Sequence, residues 1–252
     1  MEFTDYFKNR RTIRKYSAQE VPDSMISEML EAAMQAPTTG NMQLYSVVVT
    51  RSEDGKRALA PAHFNQPSVT SSSAVLTFCA DFNRFVKWCR ESGADPGYDN
   101  FQSFVSAMLD TAIVAQQFCT IAEMRGLGTC YLGTTTWNAP QIASALELPS
   151  MVVPVITVTV GYPAEDVAAS DRLPIEAVVH NERYRDYTPE EIHRYYDPKE
   201  ALPENRGFVA ENGKQSLAQV FTDVRYPRQA NEHFSAIFYG FLNSAGFRWP
   251  AD

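Results

Sequence analysis

The sequence predicts an α+β fold, on three observations. Four short runs rich in β-branched and aromatic residues read as strands: Tyr45 to Thr50, Ala74 to Ala80, Thr129 to Leu132 and Met151 to Val160. Stretches of helical periodicity separate them, the longest from Phe101 to Arg125. The 252 residues are 44% hydrophobic and 12% aromatic, which suffices for a sizeable buried core.

In chain order, Asp23 or Ser24 is expected to cap a helix whose apolar positions Met25, Ile26, Met29, Leu30, Ala33 and Met34 recur at helical spacing, with Pro37 ending it. The first two strands follow. The Phe101 to Arg125 helix carries Phe101, Phe104, Val105, Met108, Leu109, Ala112 and Ile113, and Gly126 stops it. So much apolar surface exceeds one stripe, so this helix is either central or shared with a second subunit, and the second option fits a dimer. A short helix is expected over Pro140 to Leu146. Pro154 lies within the last strand and suggests an edge or bulged position. Beyond Arg172 the chain reads as polar and irregular as far as Asn212, with prolines at 174, 189, 198 and 203. Two helical patterns close it, Lys214 to Phe221 and Asn231 to Ala245, the second ended by Gly246. Residues 185–252 are too few to bury a core comfortably alone, so they are expected to wrap a main body formed by residues 1–184.

The formal charge of -8 argues against nucleic acid or an anionic membrane surface as the main partner, because the long-range field repels both. MEFTDYFKNR has no apolar signal core and no stretch reads as long enough to span a bilayer, so the expected location is the cytoplasm. Cys79, Cys89, Cys119 and Cys130 form no CxxC pair and have no histidine at metal-ligand spacing; reduced, mostly buried thiols and no metal are expected. The usual nucleotide-binding and hydrolase motifs GxxxxGK[ST], GxSxG and HExxH are missing, and no convincing GxGxxG follows a strand.

Against this acidic background RRTIRKYS, Arg10 to Ser17, stands out. Arg10, Arg11, Thr12 and Arg14 supply fork donors and a hydroxyl suited to a phosphomonoester, and alternate side chains of one extended segment can converge on it. Taken alone, such a cluster is more often solvated surface. It is followed, in order, by APTTGNMQLYSVVV (36–49), FCADFNRF (78–85), GLGTCYLGTTT (126–136), and VGYPAED (160–166) with RLP (172–174). In this order and spacing the chain resembles the FMN-dependent nitroreductase family, most closely its oxygen-insensitive NADPH nitroreductase and flavin reductase branch. The likeness covers residues 1 to about 185 well and the tail through Phe247 more loosely.

The resemblance implies a three-layer sandwich with a central mixed sheet flanked by helices, a homodimer with FMN at its interface, and a C-terminal extension. It implies that Arg10, Thr12 and Arg172 hold the FMN phosphate with help from the backbone of Arg11, although Ser170 stands where relatives commonly carry a second basic residue. Arg14 would lie by the pyrimidine edge of the flavin ring, where a fixed cation favours the reduced, anionic form. Thr38, Thr39, Gly40 and Asn41 would face the ribityl chain and ring, Gln43 is carried over more weakly, and Gln66 would pair with the ring's amide-like edge. The backbone of Tyr131, Leu132, Gly133 and Thr134 would approach flavin N5, with the glycine permitting closeness. Arg206, Arg225 and Arg228 would hold the 2′-phosphate of NADPH, the preferred donor over NADH; Arg225 and Arg228 could instead pair with Asp223 and Glu232. Arg172 could likewise pair with Asp171. The implied activity is a ping-pong, two-electron reduction of nitroaromatics, quinones or flavins, with no protein acid or base assigned. The alternatives are a specialised flavin-fold enzyme, such as a reductive dehalogenase or a flavin-consuming oxidase, and a flavin-binding protein without turnover.

Overall fold

The computed structural model describes residues 3–248; the ends of the two expected segments, residues 1–2 and 249–252, lie outside them. The chain forms two compact units, one of residues 1–168 with 234–252 and one of residues 169–233.

In the first unit, after α1 (Phe3–Lys8), helix α2 runs over Asp23–Ala33 with Ile26, Met29 and Ala33 buried. Its N-cap is Pro22, with no side-chain cap. The expected Asp23 cap fails because that carboxylate pairs with Arg51 at 2.6 Å. Strand β1 (Tyr45–Thr50) leads through α3 (Glu53–Leu59) and α4 (Pro67–Ser71) to β2 (Ala74–Asp81), then through α5 (Asn83–Glu91) and α6 (Phe101–Met124) to β3 (Gly128–Leu132), α7 (Ala139–Ala145) and β4 (Val152–Gly161).

The strand order is β1-β2-β4-β3 and each pairing is antiparallel, which corrects the mixed sheet expected from the sequence. The reason lies in the order. The α6 crossover makes β3 run in the same direction as β2, but β4 inserts between them, so only antiparallel neighbours touch. Parallel pairing among the described residues is confined to the isolated bridge Asn100–Arg248. β4 is thus a central strand. Pro154 sits at a bulge: Phe78 pairs with Ile156 and Cys79 with Pro154, so Val155 is the extra residue that accommodates a proline in mid-sheet.

Every residue of β2 is buried, because both sheet faces are covered. Leu76, Phe78 and Val158 pack against Ile26 and Met29 of α2 and against Val114, Phe118 and Ala122 of α6, whereas Val75 and Leu132 pack against Leu59, Val69 and Ile142 on the other face. This is the expected three-layer arrangement. Asn100 caps α6 by accepting the Ser103 amide. By length and composition α6 could cross a membrane, which the sequence reading did not foresee; in the fold its buried face is core.

In the second unit, the stretch read as irregular holds α8 (Pro189–Glu200) and α9 (Pro203–Glu211). Pro189 and Pro203, taken as breakers, stand at the first helical turn, where the missing N–H costs nothing, while Pro198 lies within the last turns of α8. Thr188 and Glu191 form a reciprocal capping box. α10 (Leu217–Gln219) continues into a π-helical turn over Val220–Arg225. α11 (Arg228–Ser244) returns to the first unit, where Gly246, at φ 102°, closes it.

Candidate functional site

The arginine run lies flat along the ends of β3 and β4. The Ile13 amide donates to the Thr129 carbonyl at 3.0 Å and the Ser17 amide to Tyr162 at 2.9 Å. The Tyr16 hydroxyl is 2.7 Å from the Thr159 hydroxyl. Close approach depends on Gly128, where an added Cβ would lie 2.5 Å from Ile13 Cβ. Ile13 and Tyr16 are buried, whereas Arg10 and Thr12 are partly exposed and Arg14 is exposed. Arg10 Nη1 donates to Thr12 Oγ1 at 3.4 Å. The convergence expected from spacing is therefore present for Arg10 and Thr12, and β3 is the surface the run is built against.

Acidic partners come with it. Arg10 Nε is 3.2 Å from Glu123 Oε1, Arg11 pairs with Asp166, and the Glu165 carboxylate accepts the backbone amides of Arg14 at 2.9 Å and Lys15 at 3.1 Å. Arg10, Arg11, Glu123, Glu165 and Asp166 line a cavity of about 380 Å³ together with Tyr6 and Gly128. Burial raises the Glu123 carboxyl above its ordinary range, opposed by the Thr129 hydroxyl and by Arg10. Burial likewise raises the Cys130 thiol, against the pull of Arg14 and Arg10. Sequence reading missed these carboxylates, although Glu165 and Asp166 stand inside the VGYPAED motif it quoted.

The 38–43 turn is anchored on α6. Asp110, 2% exposed, accepts the Thr39 amide at 2.9 Å, the Thr39 hydroxyl at 3.0 Å, the Leu44 amide at 3.3 Å and the Thr38 hydroxyl. Gly40, Asn41 and Gln43 all have positive φ, between 54° and 57°. From outside, Arg84 donates to the carbonyls of Tyr45, at 3.2 Å, and Gln43. Asp110 gave a signal that went unread, a lone carboxylate inside an apolar helical run.

Gln66 and the 131–134 segment lie on two loops held together by buried polar contacts. His63 Nδ1 is 2.8 Å from the Thr134 hydroxyl, and Asn138 Nδ2 donates to the Ala62 carbonyl at 2.7 Å. Burial lowers His63 to about 4, so its ring is neutral. Tyr131 is half-buried and Leu132 and Thr134 are buried, whereas Gly133 is exposed with nothing within 4 Å of an added Cβ. That peptide is open to a planar ligand. Next to Gln66, Phe64 holds a left-handed conformation, φ 53°, with its ring 6.3 Å from Trp137.

The other expected residues belong to the second unit. Arg172 donates to the carbonyls of Ser170 at 3.2 Å and Asp171 at 2.8 Å, while the Asp171 carboxylate pairs with Lys199 at 2.8 Å. Arg206 lines a cavity of about 530 Å³ with Glu200 and Lys214. Arg225 lies over the rings of Phe208, at 4.4 Å, and Phe221, at 5.2 Å. Asp223 pairs with Lys214 at 2.9 Å, and Arg228 is 3.7 Å from Glu232. All four cysteines are free and buried, and no cluster of metal-ligand residues occurs among the described residues.

Comparison with known proteins points one way. A sequence model of the Nitroreductase family matches residues 7–162. The chain is 28% identical over 248 residues to a Cr(VI) reductase of Pseudomonas sp. (strain G-1), covering 97% of this chain and 98% of that protein. It is 31% identical over 178 residues to the FMN reductase (NADPH) of Bacillus subtilis (strain 168), covering 70% of this chain and 72% of that one. A crystal structure from Bacteroides fragilis NCTC 9343, assigned only to the general class of oxidoreductases, superposes with a TM-score of 0.96 at 55% identity, over 97% of this chain and all of that one.

Proposed function

The chain belongs to the nitroreductase family, and from that premise we propose that it is an FMN-dependent NAD(P)H oxidoreductase that reduces nitroaromatics, quinones or flavins by two electrons in a ping-pong cycle. The observation that carries the reading is the convergence of Arg10 and Thr12 against β3, the strand whose far end leads into the exposed Gly133. A guanidinium beside a hydroxyl suits a phosphomonoester, and an exposed glycine peptide suits a flat ring. These residues fit FMN.

When bound, FMN would supply the hydride chemistry, taking electrons from NAD(P)H and passing them to the acceptor. The protein's part is placement. Arg10 and Thr12, with the Arg11 backbone and Arg172, would hold the phosphate, and Arg14 would place positive charge beside the ring. Thr38, Thr39 and Asn41 would line the ribityl chain, Gln66 the amide-like edge, and Tyr131 to Thr134 the N5 edge. Because Arg10 already pairs with Glu123, the phosphate must compete with a carboxylate, and the raised Glu123 carboxyl makes that competitor easier to neutralise.

The working unit would be a homodimer in the cytoplasm, with residues 1–184 as the FMN-binding core and 185–252 as an extension on the core or the partner. Leu109, Ile113 and Met124 on α6 are 54%, 42% and 62% exposed, an apolar row that a second subunit would cover. Arg206, Arg225 and Arg228 would read the 2′-phosphate of NADPH. The test is an absorption spectrum of purified protein followed by stopped-flow reduction with NADPH and NADH in turn. Yellow protein bleached by a nicotinamide and recoloured by a quinone or nitroaromatic is expected. A colourless protein that takes up no FMN overturns the reading, and bound flavin that no nicotinamide bleaches makes this a binding protein.

A further inference from the structure

Asp110, 2% exposed, is a carboxylate in the middle of the mostly apolar buried face of α6, and the proposed chemistry does not use it. Its partners come from one place. Oδ1 accepts the Thr39 amide and hydroxyl, and Oδ2 accepts the Leu44 amide and the Thr38 hydroxyl. Thr38 Oγ1 in turn accepts the Gln43 amide at 2.9 Å, which extends the carboxylate's hold across the whole turn. A buried carboxylate is costly unless its lone pairs are filled, and here neutral donors of a single loop fill them. The loop and the charge therefore depend on each other.

The loop needs such a constraint. Asn41 and Gln43 hold left-handed conformations at φ 57° and 54°, which side-chain-bearing residues keep only where the surroundings over-determine them. Asp110 from within and Arg84 from outside supply that over-determination. A second consequence concerns hydrogen direction. A threonine hydroxyl has one hydrogen, and both Thr38 and Thr39 direct theirs at Asp110. Toward a ligand they can then only accept, which suits the O–H donors of a polyol, while the Asn41 and Gln43 side chains stand at the surface of the same turn.

Resting on the reading that this turn contacts FMN, we infer that Asp110 is a positioning residue, which pre-forms the 38–44 turn and fixes its two threonine hydroxyls as acceptors for the ribityl chain. Asp110→Asn keeps the shape but replaces one acceptor oxygen by an NH₂ facing donors. The test compares FMN affinity by flavin fluorescence, the visible circular dichroism of bound flavin, and amide exchange at Thr39 and Leu44 in FMN-free protein. Expected is cooperative unfolding retained, FMN bound at least about tenfold more weakly, an altered flavin dichroism, and faster exchange at both amides. If Asp110→Asn does not fold, amide exchange in FMN-free wild-type protein decides: slow exchange at both Thr39 and Leu44, whose amides Asp110 accepts, supports the inference, and exchange at both as fast as in an open loop overturns it. A folded Asp110→Asn with FMN affinity within twofold and unchanged dichroism overturns the inference alone. A wild-type protein that takes up no FMN overturns the reading beneath it.

Discussion

Gly128→Ala tests how the arginine run is held, and its cost can be worked from the packing. The new Cβ would lie 2.5 Å from Ile13 Cβ and 2.7 Å from both Cγ1 and Cγ2. Carbon atoms prefer about 3.5–4 Å, so the segment must retreat by roughly 1 Å. Ile13 cannot swing aside, since a β-branched side chain that is only 7% exposed has few rotamers to choose from. The retreat stretches the 3.0 Å bond from the Ile13 amide to Thr129 beyond hydrogen-bond range. Overpacking costs about 1–3 kcal/mol and the lost bond about 1, so the variant should lose about 2–4 kcal/mol, which for a chain of this size lowers Tm by roughly 5–15 °C. Arg10, Thr12 and Arg14 move with the segment, so FMN affinity should fall as well. Thermal unfolding without FMN and a fluorescence titration with it measure the two effects. Gly133→Ala is the contrast: nothing lies within 4 Å of its added Cβ, so Tm should stay, while FMN weakens if that peptide approaches the ring. A Gly128→Ala protein with Tm within 2 °C of wild type and unchanged FMN affinity refutes the reasoning.

The other predictions concern charge. His63 has its folded value depressed to about 4 from an ordinary 6.5, so the unfolded chain binds a proton that the native state refuses; stability should fall as pH drops through that window, by about 3 kcal/mol in total, and denaturant titrations of His63→Gln should lose that component. Glu123→Gln should tighten FMN binding by about fivefold, the worth of freeing Arg10 from a partly buried ion pair, and a weaker titration would mean that Arg10 does not hold the phosphate. Arg225→Ala should destabilise the second unit by about 1 kcal/mol through its lost contact with Phe208 and Phe221, whereas Arg228→Ala should not, because its pair with Glu232 is exposed. Whichever of the two reads the 2′-phosphate should lose about tenfold in the ratio of NADPH to NADH efficiency, measured at steady state.

Where local pattern decides structure, the sequence was legible. β1, β2, β3 and α6 lie within a residue or so of the expected bounds, because each is long or β-branched enough for burial and propensity to agree. Strand neighbours were not legible, since the insertion of β4 between β2 and β3 is a choice among topologies that leaves the same periodicity in each strand. The α8 and α9 helices were missed for a different reason. Pro189 and Pro203 were weighed as breakers, while the cue that reverses their meaning, Thr188 and Glu191 around Pro189, was not counted.

The site shows the same division between local and distant. Arg10 and Thr12 meet because residues two apart in an extended segment point the same way, a property of the segment itself. Their carboxylates are not: Asp166 reaches Arg11 across 155 positions, and Glu123 reaches Arg10 from the far end of α6. Four cations, Arg10, Arg11, Arg14 and Lys15, thus meet three carboxylates, Glu123, Glu165 and Asp166. A phosphate dianion entering that set would turn a small positive excess into a negative one. Burial raises the Glu123 carboxyl, whereas backbone amides of Arg14 and Lys15 hold Glu165 below its usual range. Proton uptake at Glu123 is therefore the least costly way to restore balance, and it would leave Arg10 to the phosphate. A run that looks from the sequence like surplus positive charge is, in the fold, nearly neutral.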